Sequence, residues 1–370
     1  MRVAKTAAPI TAAGVLPAQT LRLLTQSGAI ALSEPLGARQ LQPASLDLRL
    51  GNVAHRVRAS FLPGPNATVE SKLAGLLLHT FDLTKGAVLE TGCVYIVPLL
   101  EALALPLGLA GSANPKSSTG RLDVFTRVIA NGATAFDQIP AGYNGPLYAE
   151  ICPQTFPVVV SRGSTLSQLR LRSGMAQISD DELRKLHAAQ HLVTGGVNDI
   201  DNGIALSVDL IGDKSGLVGY RAKRHTGVVN VDVSGACAIA DYWEPIQADA
   251  GARRLILDPD QFYILASKEA VHVPPQYAAE MMPFNPLVGE FRVHYAGFMD
   301  PGFGHEPAGG SGARVVLEVR SHKVPFVLED GQIIGRLIYE RLTEVPEMLY
   351  GRDLGSNYQG QALKLSKHFK

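Results

Sequence analysis

Residues 114–150 read NPKSSTGRLDVFTRVIANGATAFDQIPAGYNGPLYAE, and this stretch is the best indication of the fold. It opens on a polar turn that supplies two cations and two hydroxyls: Lys116, Ser117, Ser118 and Arg121. It closes on a short apolar strand that carries one carboxylate, Glu150. Both faces of this strand are largely apolar by alternation, so we expect it inside a barrel or sandwich. A buried acid is costly unless it is paired or takes part in chemistry, which makes Glu150 a candidate functional residue.

The composition favours a turn-rich, mainly β protein. The 370 residues include 37 Gly and 23 Pro, and apolar runs interrupt the turns throughout. Hydrophobic residues make up 46% and charged residues 18%, which supports well-filled cores. The formal net charge is +0, and no long basic run is present, so general nucleic-acid binding is not expected.

The cysteines and the apolar segments predict a cytoplasmic protein. Cys93, Cys152 and Cys237 are odd in number and widely spaced, which argues against a disulfide framework and for a reducing compartment. The first residues lack the sustained apolar core of a signal peptide, and no stretch reaches transmembrane length. We therefore expect no membrane association.

The order of motifs recurs along the chain, which predicts two homologous lobes. Leu183 repeats Leu21 at an offset of 162, and SVDL at residues 207–210 repeats SLDL at residues 45–48 at the same offset. Further along the chain the offset is 168. Seven residues of the first lobe recur 168 positions later as the same residue type, in the same order: Tyr95, Glu101, Pro106, Glu150, Pro157, Gly163 and Leu169. The predicted division is a first lobe over 1–174, a second, diverged lobe over 175–343, and a tail over 344–370 that is a candidate lid.

The two copies differ where chemistry is expected. An offset of 168 from Ser117 leads to Asn285, in a segment that has lost the hydroxyl pair and the arginine. The second lobe keeps two acids, Asp300 and Glu318, which are its candidate site residues.

Together these motifs resemble the dCTP deaminase and dUTPase superfamily, in a tandem-duplicated form of dCTP deaminase. The resemblance lies in their order: SLDLRLG, then SSxxR, a turn of Asp, Pro, Gly and aromatic residues, a strand ending in Glu, and GxxxxQL. It implies two tandem dUTPase-like lobes, each a distorted β-barrel of the β-clip kind with a short N-terminal helix.

The resemblance also implies an activity, the hydrolytic deamination of dCTP to dUTP and ammonia without zinc or another catalytic metal. Glu150 would be the general base and acid, with Ser117 and Arg121 framing the reacting water and holding Glu150. Mg²⁺ would accompany the triphosphate as its counter-ion. The implied nucleotide-binding residues are Lys116 and Ser118 at the phosphates, Asp137 and Tyr143 at the base and sugar, Gln168, and the tail residues Tyr350, Tyr358 and Gln361.

The chain departs from the family pattern in the third-motif turn. The arginine and aspartate of the family appear as Gln138 and Pro140. Asp137 is then the candidate to take over the role of that aspartate through a longer turn.

Structural interpretations of the same residues remain open. Glu150 and Arg121 could form a buried ion pair that only ties two strands, and residues 116–118 could be an ordinary polar turn. A zinc deaminase requires His-x-Glu with Cys-x-x-Cys, which this sequence lacks; His187 and His191 share a helix face without such a motif.

The sequence therefore predicts an enzyme, a hydrolase acting on the C–N bond of a cyclic amidine. The alternatives are a dUTP diphosphatase and a non-catalytic nucleotide-binding scaffold. The predicted partners are dCTP and dUTP, and the sequence leaves inhibition by dTTP open. The resemblance implies a homotrimer or another homo-oligomer, with either a ring of first lobes stacked on a ring of second lobes or one composite site per chain.

Overall fold

The structure, a computed structural model, describes residues 12–195, 199–249, 251–282, 291–294, 297–321, 323–351, 353 and 358–370. These residues form two compact units. Unit 1 contains the described residues up to Ala176 together with Gly227–Ala236 and Leu342–Glu347, and unit 2 contains the remainder. The sequence had assigned those two short segments to the second lobe and the tail, whereas their contacts group them with unit 1.

Strands dominate residues 12–176. The helices are α1 (Ala18–Ser27), α2 (Val69–Leu76) and α3 (Ser117–Gly120). The strands are β1 (Gly14–Val15), β2 (Ile30–Leu32), β3 (Leu41–Gln42), β4 (Ser45–Arg49), β5 (Val53–Val57), β6 (Leu77–Asp82), β7 (Ala87–Leu89), β8 (Val94–Ala104), β9 (Leu109–Pro115), β10 (Val124–Ala130), β11 (Gln138–Ile139), β12 (Asn144–Pro153), β13 (Val158–Val160) and β14 (Thr165–Ser173).

The remaining residues repeat this pattern. The helices are α4 (Asp180–Gln190) and α5 (Ile239–Tyr242), with a 3₁₀ turn at Glu306–Ala308. The strands are β15 (Val193–Thr194), β16 (Ile204–Ser207), β17 (Leu217–Ala222), β18 (Val229–Asn230), β19 (Trp243–Gln247), β20 (Arg254–Leu257), β21 (Phe262–Val271), β22 (Tyr277–Met282), β23 (Phe291–His294), β24 (Phe298–Met299), β25 (Ala313–Ser321), β26 (Phe326–Glu329) and β27 (Ile333–Arg341). None of the described helices is long and apolar enough to span a membrane.

The same strand order occurs in both units. Unit 1 has one sheet in the order β11-β9-β14-β4-β3 and a second in the order β10-β12-β8-β5-β6. Unit 2 has the matching orders β24-β22-β27-β16 and β23-β25-β21-β17-β19. Each unit encloses its own apolar core, so the predicted mainly β fold with two lobes is confirmed.

Strand register corrects one predicted equivalence between the lobes. Gln168 pairs with Asp47, and the residue 168 positions after it, Arg336, pairs with Ala205. The counterpart of Asp47 is therefore Ala205, and the predicted match of Asp47 with Asp209 is wrong. The two S-x-D-L segments resemble each other by coincidence, because the first strand of the second lobe begins earlier than the constant offset suggested.

The N-terminal helix of each lobe ends in left-handed backbone. Helix α1 begins after Pro17 and ends at Gly28, whose φ of 83° suits a residue without a side chain. Helix α4 begins with the predicted capping box, in which Ser179 and Glu182 exchange side-chain and backbone hydrogen bonds. Its last turn ends at His191, with a φ of 48°.

A buried carboxylate joins the two sheets of each unit. In unit 1, Glu101 of β8 is 1% exposed and accepts hydrogen bonds from the backbone N–H and the Nε of Arg49 on β4, at 2.8 and 2.7 Å. In unit 2, Glu269 of β21 accepts equivalent bonds from the backbone and hydroxyl of Ser207 on β16, at 2.8 and 2.7 Å. These acids are the predicted pair at an offset of 168, and they hold the sheets together.

Replacing Glu101 by Gln should destabilise unit 1 by about 3–5 kcal/mol, because Arg49 would remain buried without its ionic partner. Thermal and urea unfolding followed by near-ultraviolet circular dichroism would measure the loss. The control is Arg184→Ala, which removes an exposed pair with Asp181 and should cost less than about 1 kcal/mol. Equal effects of the two substitutions would contradict the assigned role of Glu101.

Unit 2 also contains four neighbouring histidines. The rings of His187 and His191 are 6.4 Å apart, and those of His272 and His305 are 5.5 Å apart. Burial lowers the pKa of His187, and the nearby imidazoles of His191 and His272 lower it further. Burial and, to a smaller extent, the nearby imidazole of His272 also lower the pKa of His305. The nearby Glu306 raises this pKa, but by less.

These depressed pKa values predict that unit 2 loses stability as the pH falls below the ordinary histidine value of 6.5. In that range the unfolded chain binds more protons than the folded unit, so protonation favours unfolding, whereas above 6.5 both states are neutral. Urea titrations from pH 7.5 to 5 should show this decline. A His187→Gln/His305→Gln variant should show a flatter dependence, and an unchanged slope would contradict the prediction.

Candidate active site

Glu150 lies in the middle of β12, which is paired on both sides by β10 and β8. The residue is 1% exposed, so the predicted burial of this strand is confirmed. Arg127 lies directly opposite on β10, and its Nε donates to Oε1 of Glu150 at 3.1 Å while its Nη2 forms an ion pair with the same oxygen. Oε2 of Glu150 is buried and has no hydrogen-bond partner among the described residues.

The guanidinium of Arg127 lies over two aromatic rings. Its Cζ is 4.5 Å from the ring centroid of Phe125 and 3.5 Å from that of Phe136, distances typical of cation–π contact. Nη2 also donates to the hydroxyl of Ser60 at 3.1 Å. Further along β12, burial raises the pKa of the Cys152 thiol, and the nearby carboxylate of Glu150 adds to this effect.

The polar turn that precedes β10 forms the short helix α3. Its first turn is closed by the backbone N–H of Thr119, which donates to the carbonyl of Lys116 at 2.8 Å. Ser117 is half-buried, whereas Ser118 and Arg121 are buried. The helix contacts β10 of one sheet and β14 of the other, so it lies where the two sheets of unit 1 approach each other.

Lys116 is tied to the sheet of β14. Its Nζ forms an ion pair with Asp47 and donates to the hydroxyl of Thr165 at 2.9 Å. Asp47, Gln168 and Asn114 occupy neighbouring positions across β4, β14 and β9, and therefore share one face of that sheet. The predicted phosphate-contacting lysine is thus held by an acid, beside two amide side chains.

Asp137 and Tyr143 both support the backbone around the third-motif turn. Oδ1 of Asp137 accepts a hydrogen bond from the backbone N–H of Val128 at 2.7 Å. The hydroxyl of Tyr143 accepts from the backbone of Asn131 at 3.0 Å and donates to the carbonyl of Pro146 at 2.6 Å, and its ring is in the core of unit 1. Their predicted contacts with base and sugar remain predictions, and these bonds assign both residues a structural role.

The predicted tail residues pack on unit 2. Tyr350 contacts the ring of Phe303, and its backbone N–H donates to Pro301 at 2.8 Å. Tyr358 is buried, and its hydroxyl accepts from the backbone of Lys367 at 3.2 Å. Gln361 exchanges backbone and side-chain bonds with Arg314, at 2.9 and 3.1 Å. The described residues of Met348–Lys370 therefore group with unit 2 in this structure, and the role of the tail as a lid remains a prediction.

The second-lobe candidates occupy positions that register relates to unit 1. Glu318 of β25 is the counterpart of Glu150 and lies opposite His294, where unit 1 has Arg127. Met299 pairs with Ala279 as Ile139 pairs with Gly111, so the counterpart of Asp300 is Pro140. Both acids are buried, at 6% and 4% exposure for Asp300 and Glu318. Asn285 lies outside the described residues.

Arg127 is the site residue that sequence reasoning missed. The sequence had assigned the cation beside Glu150 to Arg121, six residues earlier in the chain. The signal for Arg127 is the pairing of β10 with β12, and that register depends on the geometry of the long turn between them. Motif spacing could not supply it.

Two family profiles match this chain, one over each lobe. The family profile of the 2′-deoxycytidine 5′-triphosphate deaminase N-terminal domain matches residues 12–175, and the profile of the C-terminal domain matches residues 179–369. The chain belongs to the 2′-deoxycytidine 5′-triphosphate deaminase family. The resemblance inferred from the order of the motifs is thereby confirmed, and each lobe corresponds to one family domain.

A solved structure supports the same assignment. The crystal structure of 2′-deoxycytidine 5′-triphosphate deaminase from Agrobacterium tumefaciens is 59% identical, with a TM-score of 0.86, and the match covers 91% of this chain and 100% of that one. The predicted dUTPase-like fold of the lobes is therefore confirmed.

Curated relatives match over a smaller part of the chain. A dUMP-forming dCTP deaminase from Halobacterium salinarum is 36% identical over 110 residues, which are 29% of this chain and 52% of the relative. A dCTP deaminase from Halorubrum lacusprofundi is 25% identical over 190 residues, which are 50% of this chain and 86% of the relative. The aligned part of this chain thus spans about half the length of the first of these relatives.

Replacing Tyr143 by Phe tests the structural role of that residue in this family member. The change removes two hydrogen bonds to the backbone, so unit 1 should lose about 1–3 kcal/mol of stability, while nucleotide affinity stays within twofold. Thermal unfolding and calorimetric titration with dCTP would measure both. Tyr220→Phe is the control, because that hydroxyl makes no hydrogen bond to the described residues. Loss of affinity without loss of stability would instead favour a nucleotide contact.

Proposed function

We propose that this protein hydrolytically deaminates dCTP to dUTP and ammonia in pyrimidine deoxynucleotide synthesis, and that Glu150 is the general base and acid. The proposal rests on the burial and the hydrogen bonding of the Glu150 carboxylate. It is buried in a strand, one oxygen is held by Arg127, and the other has no hydrogen-bond partner among the described residues. A carboxylate so held can take a proton from water and return it at the same atom.

The chemistry requires three events at the cytosine ring. Water attacks C4, the ring nitrogen N3 gains a proton, and the amine leaves as ammonia after protonation. A single carboxylate can take the first proton of the water and deliver it to N3, and can then take the second proton from the resulting C4 hydroxyl and deliver it to the leaving nitrogen. Ser117 and Arg121 of the turn are proposed to frame the water.

The phosphate side of the proposed site is the turn at Lys116 and Ser118, with Gln168 nearby. Lysine and hydroxyl groups are common phosphate ligands, and the contact of Lys116 with Asp47 and Thr165 fixes where its charge lies. Mg²⁺ would be brought by the oxygens of the triphosphate. No group of three or more His, Cys, Asp or Glu side chains in the described ranges could hold a metal ion, so we assign no protein ligand to it.

The two candidate products are dUTP and dUMP, because several relatives are named dUMP-forming dCTP deaminases. Release of dUMP needs a second water that attacks phosphorus, and the resemblance assigns that water to the aspartate of the third-motif turn. The counterpart of that residue in unit 1 is Pro140, and Asp137 is engaged by the backbone of Val128. These contacts favour dUTP as the product, with dUMP formation or a dUTP diphosphatase as the second candidate.

We place the reaction in the first lobe and expect a homo-oligomer, as the resemblance implies. Unit 2 has lost two of the three polar residues that lie beside the turn in unit 1. Asp47 and Asn114 are replaced there by Ala205 and Met282, whereas Gln168 is replaced by Arg336. A barrel with this change is better suited to support than to bind a triphosphate.

Purified protein incubated with dCTP and Mg²⁺ should release ammonia and yield dUTP without pyrophosphate. Glu150→Gln should lower the rate of ammonia release by roughly 10²–10⁴-fold, because the amide cannot carry the proton, while dCTP still binds. Coupled ammonia detection, product chromatography and calorimetry measure the three quantities.

Glu318→Gln is the comparison that locates the reaction. If it stops ammonia release while Glu150→Gln does not, the assignment to the first lobe is wrong. Pyrophosphate and dUMP as products from dCTP would favour the second candidate, and absence of any product would favour a non-catalytic scaffold.

A further inference from the structure

Three buried carboxylates of the chain differ in how their two oxygens are used. Glu101 accepts hydrogen bonds at both oxygens, from Gln40 and Arg49 at one and from the Arg49 backbone at the other. Glu269 also uses both oxygens, through the hydroxyl and the backbone of Ser207. Glu150 is as deeply buried, yet its only hydrogen bonds within the described residues are at Oε1. The carboxylates that only join sheets are thus saturated, whereas Glu150 is bonded on one side.

The group that bonds Glu150 is itself rigidly held. Two nitrogens of Arg127 converge on Oε1, and its guanidinium carbon lies over the rings of Phe125 and Phe136. One of these two nitrogens, Nη2, also donates to the hydroxyl of Ser60. A planar guanidinium packed against rings loses little further freedom when it binds a carboxylate, which a flexible lysine would not match. The arrangement therefore fixes both the position and the rotation of the Glu150 carboxylate.

We propose that Arg127 is a positioning residue for the reaction: it occupies Oε1 of Glu150 so that proton transfer takes place at Oε2 alone. The inference rests on the proposed deamination. A base that carries the two protons of the attacking water, one to N3 and the other to the leaving amine, must keep one oxygen aimed at all three groups, and rotation of the carboxylate would break that alignment. Phe136, from the turn after β10, completes the clamp and links the position of that turn to the geometry of the acid.

The second lobe gives an internal comparison. There the residue opposite Glu318 in the register of β23 and β25 is His294. Histidine lacks the two-nitrogen fork that Arg127 directs at one oxygen. The proposal thus assigns the arginine clamp to the first lobe, where the residue opposite the acid is Arg127.

The test uses steady-state and single-turnover kinetics of the full-length protein over pH 5 to 9. Arg127→Gln should lower kcat by about 100-fold, since misplacement of the base by about 1 Å has that effect, while KM for dCTP changes little. The acid limb of the kcat/KM profile should move to higher pH, because the ionised carboxylate has lost its cation. Arg127→Lys should recover the position of the acid limb but only part of kcat. Phe136→Leu should lower kcat a few-fold with the acid limb unmoved.

Arg336→Gln is the matched control. Arg336 is a similarly exposed arginine that forms an ion pair with Asp199 in unit 2, and its loss should lower stability without changing the pH profile. If Arg127→Gln is folded and keeps the wild-type kcat and pH profile, the positioning role is overturned while deamination stands. The same conclusion follows if Arg127→Lys restores neither kcat nor the position of the acid limb relative to Arg127→Gln. If the wild-type protein releases no ammonia, the proposed function fails and the positioning role fails with it.

Discussion

The architecture of each barrel depends on one buried carboxylate that crosses between its two sheets. Glu101 and Glu269 come from corresponding strands and bond the backbone of the corresponding partner strands, through Arg49 in one unit and Ser207 in the other. A buried acid is costly unless it is paired and hydrogen-bonded, and both oxygens of Glu101 and of Glu269 are engaged, so this contact fixes how the sheets face each other. The remaining polar groups of the lobe, including the polar turn and the strand of Glu150, are placed relative to that fixed pair of sheets.

Comparison of the two lobes distinguishes the features that both keep from the residues that differ between them. Both keep the crossing carboxylate, the strand order and an acid at the position of Glu150. They differ in the row that begins at Asp47 and in the residue opposite that acid, Arg127 in one lobe and His294 in the other. These differences leave the crossing carboxylate and the strand order in place, so the two barrels keep one fold.

Much of this arrangement could be predicted from the order of motifs, and the rest depended on register. The two lobes, the capping box at Ser179 and the burial of Glu150 followed from periodicity and from spacings that local interactions fix. The pairing of Glu150 with Arg127 depended on how a long turn closes, and the equivalence of Asp47 with Ala205 depended on a length change between the lobes. The tail also could not be placed, because Gln361 bonds Arg314, which is 47 residues away in the sequence.

The tandem arrangement has a consequence for how such a chain can evolve. Two barrels translated from one message are always made in equal numbers, so substitutions confined to the second do not alter the supply of the first. Apolar residues such as Ala205 and Met282, at positions where the first lobe has Asp47 and Asn114, can therefore be carried without changing how much of the first lobe is made.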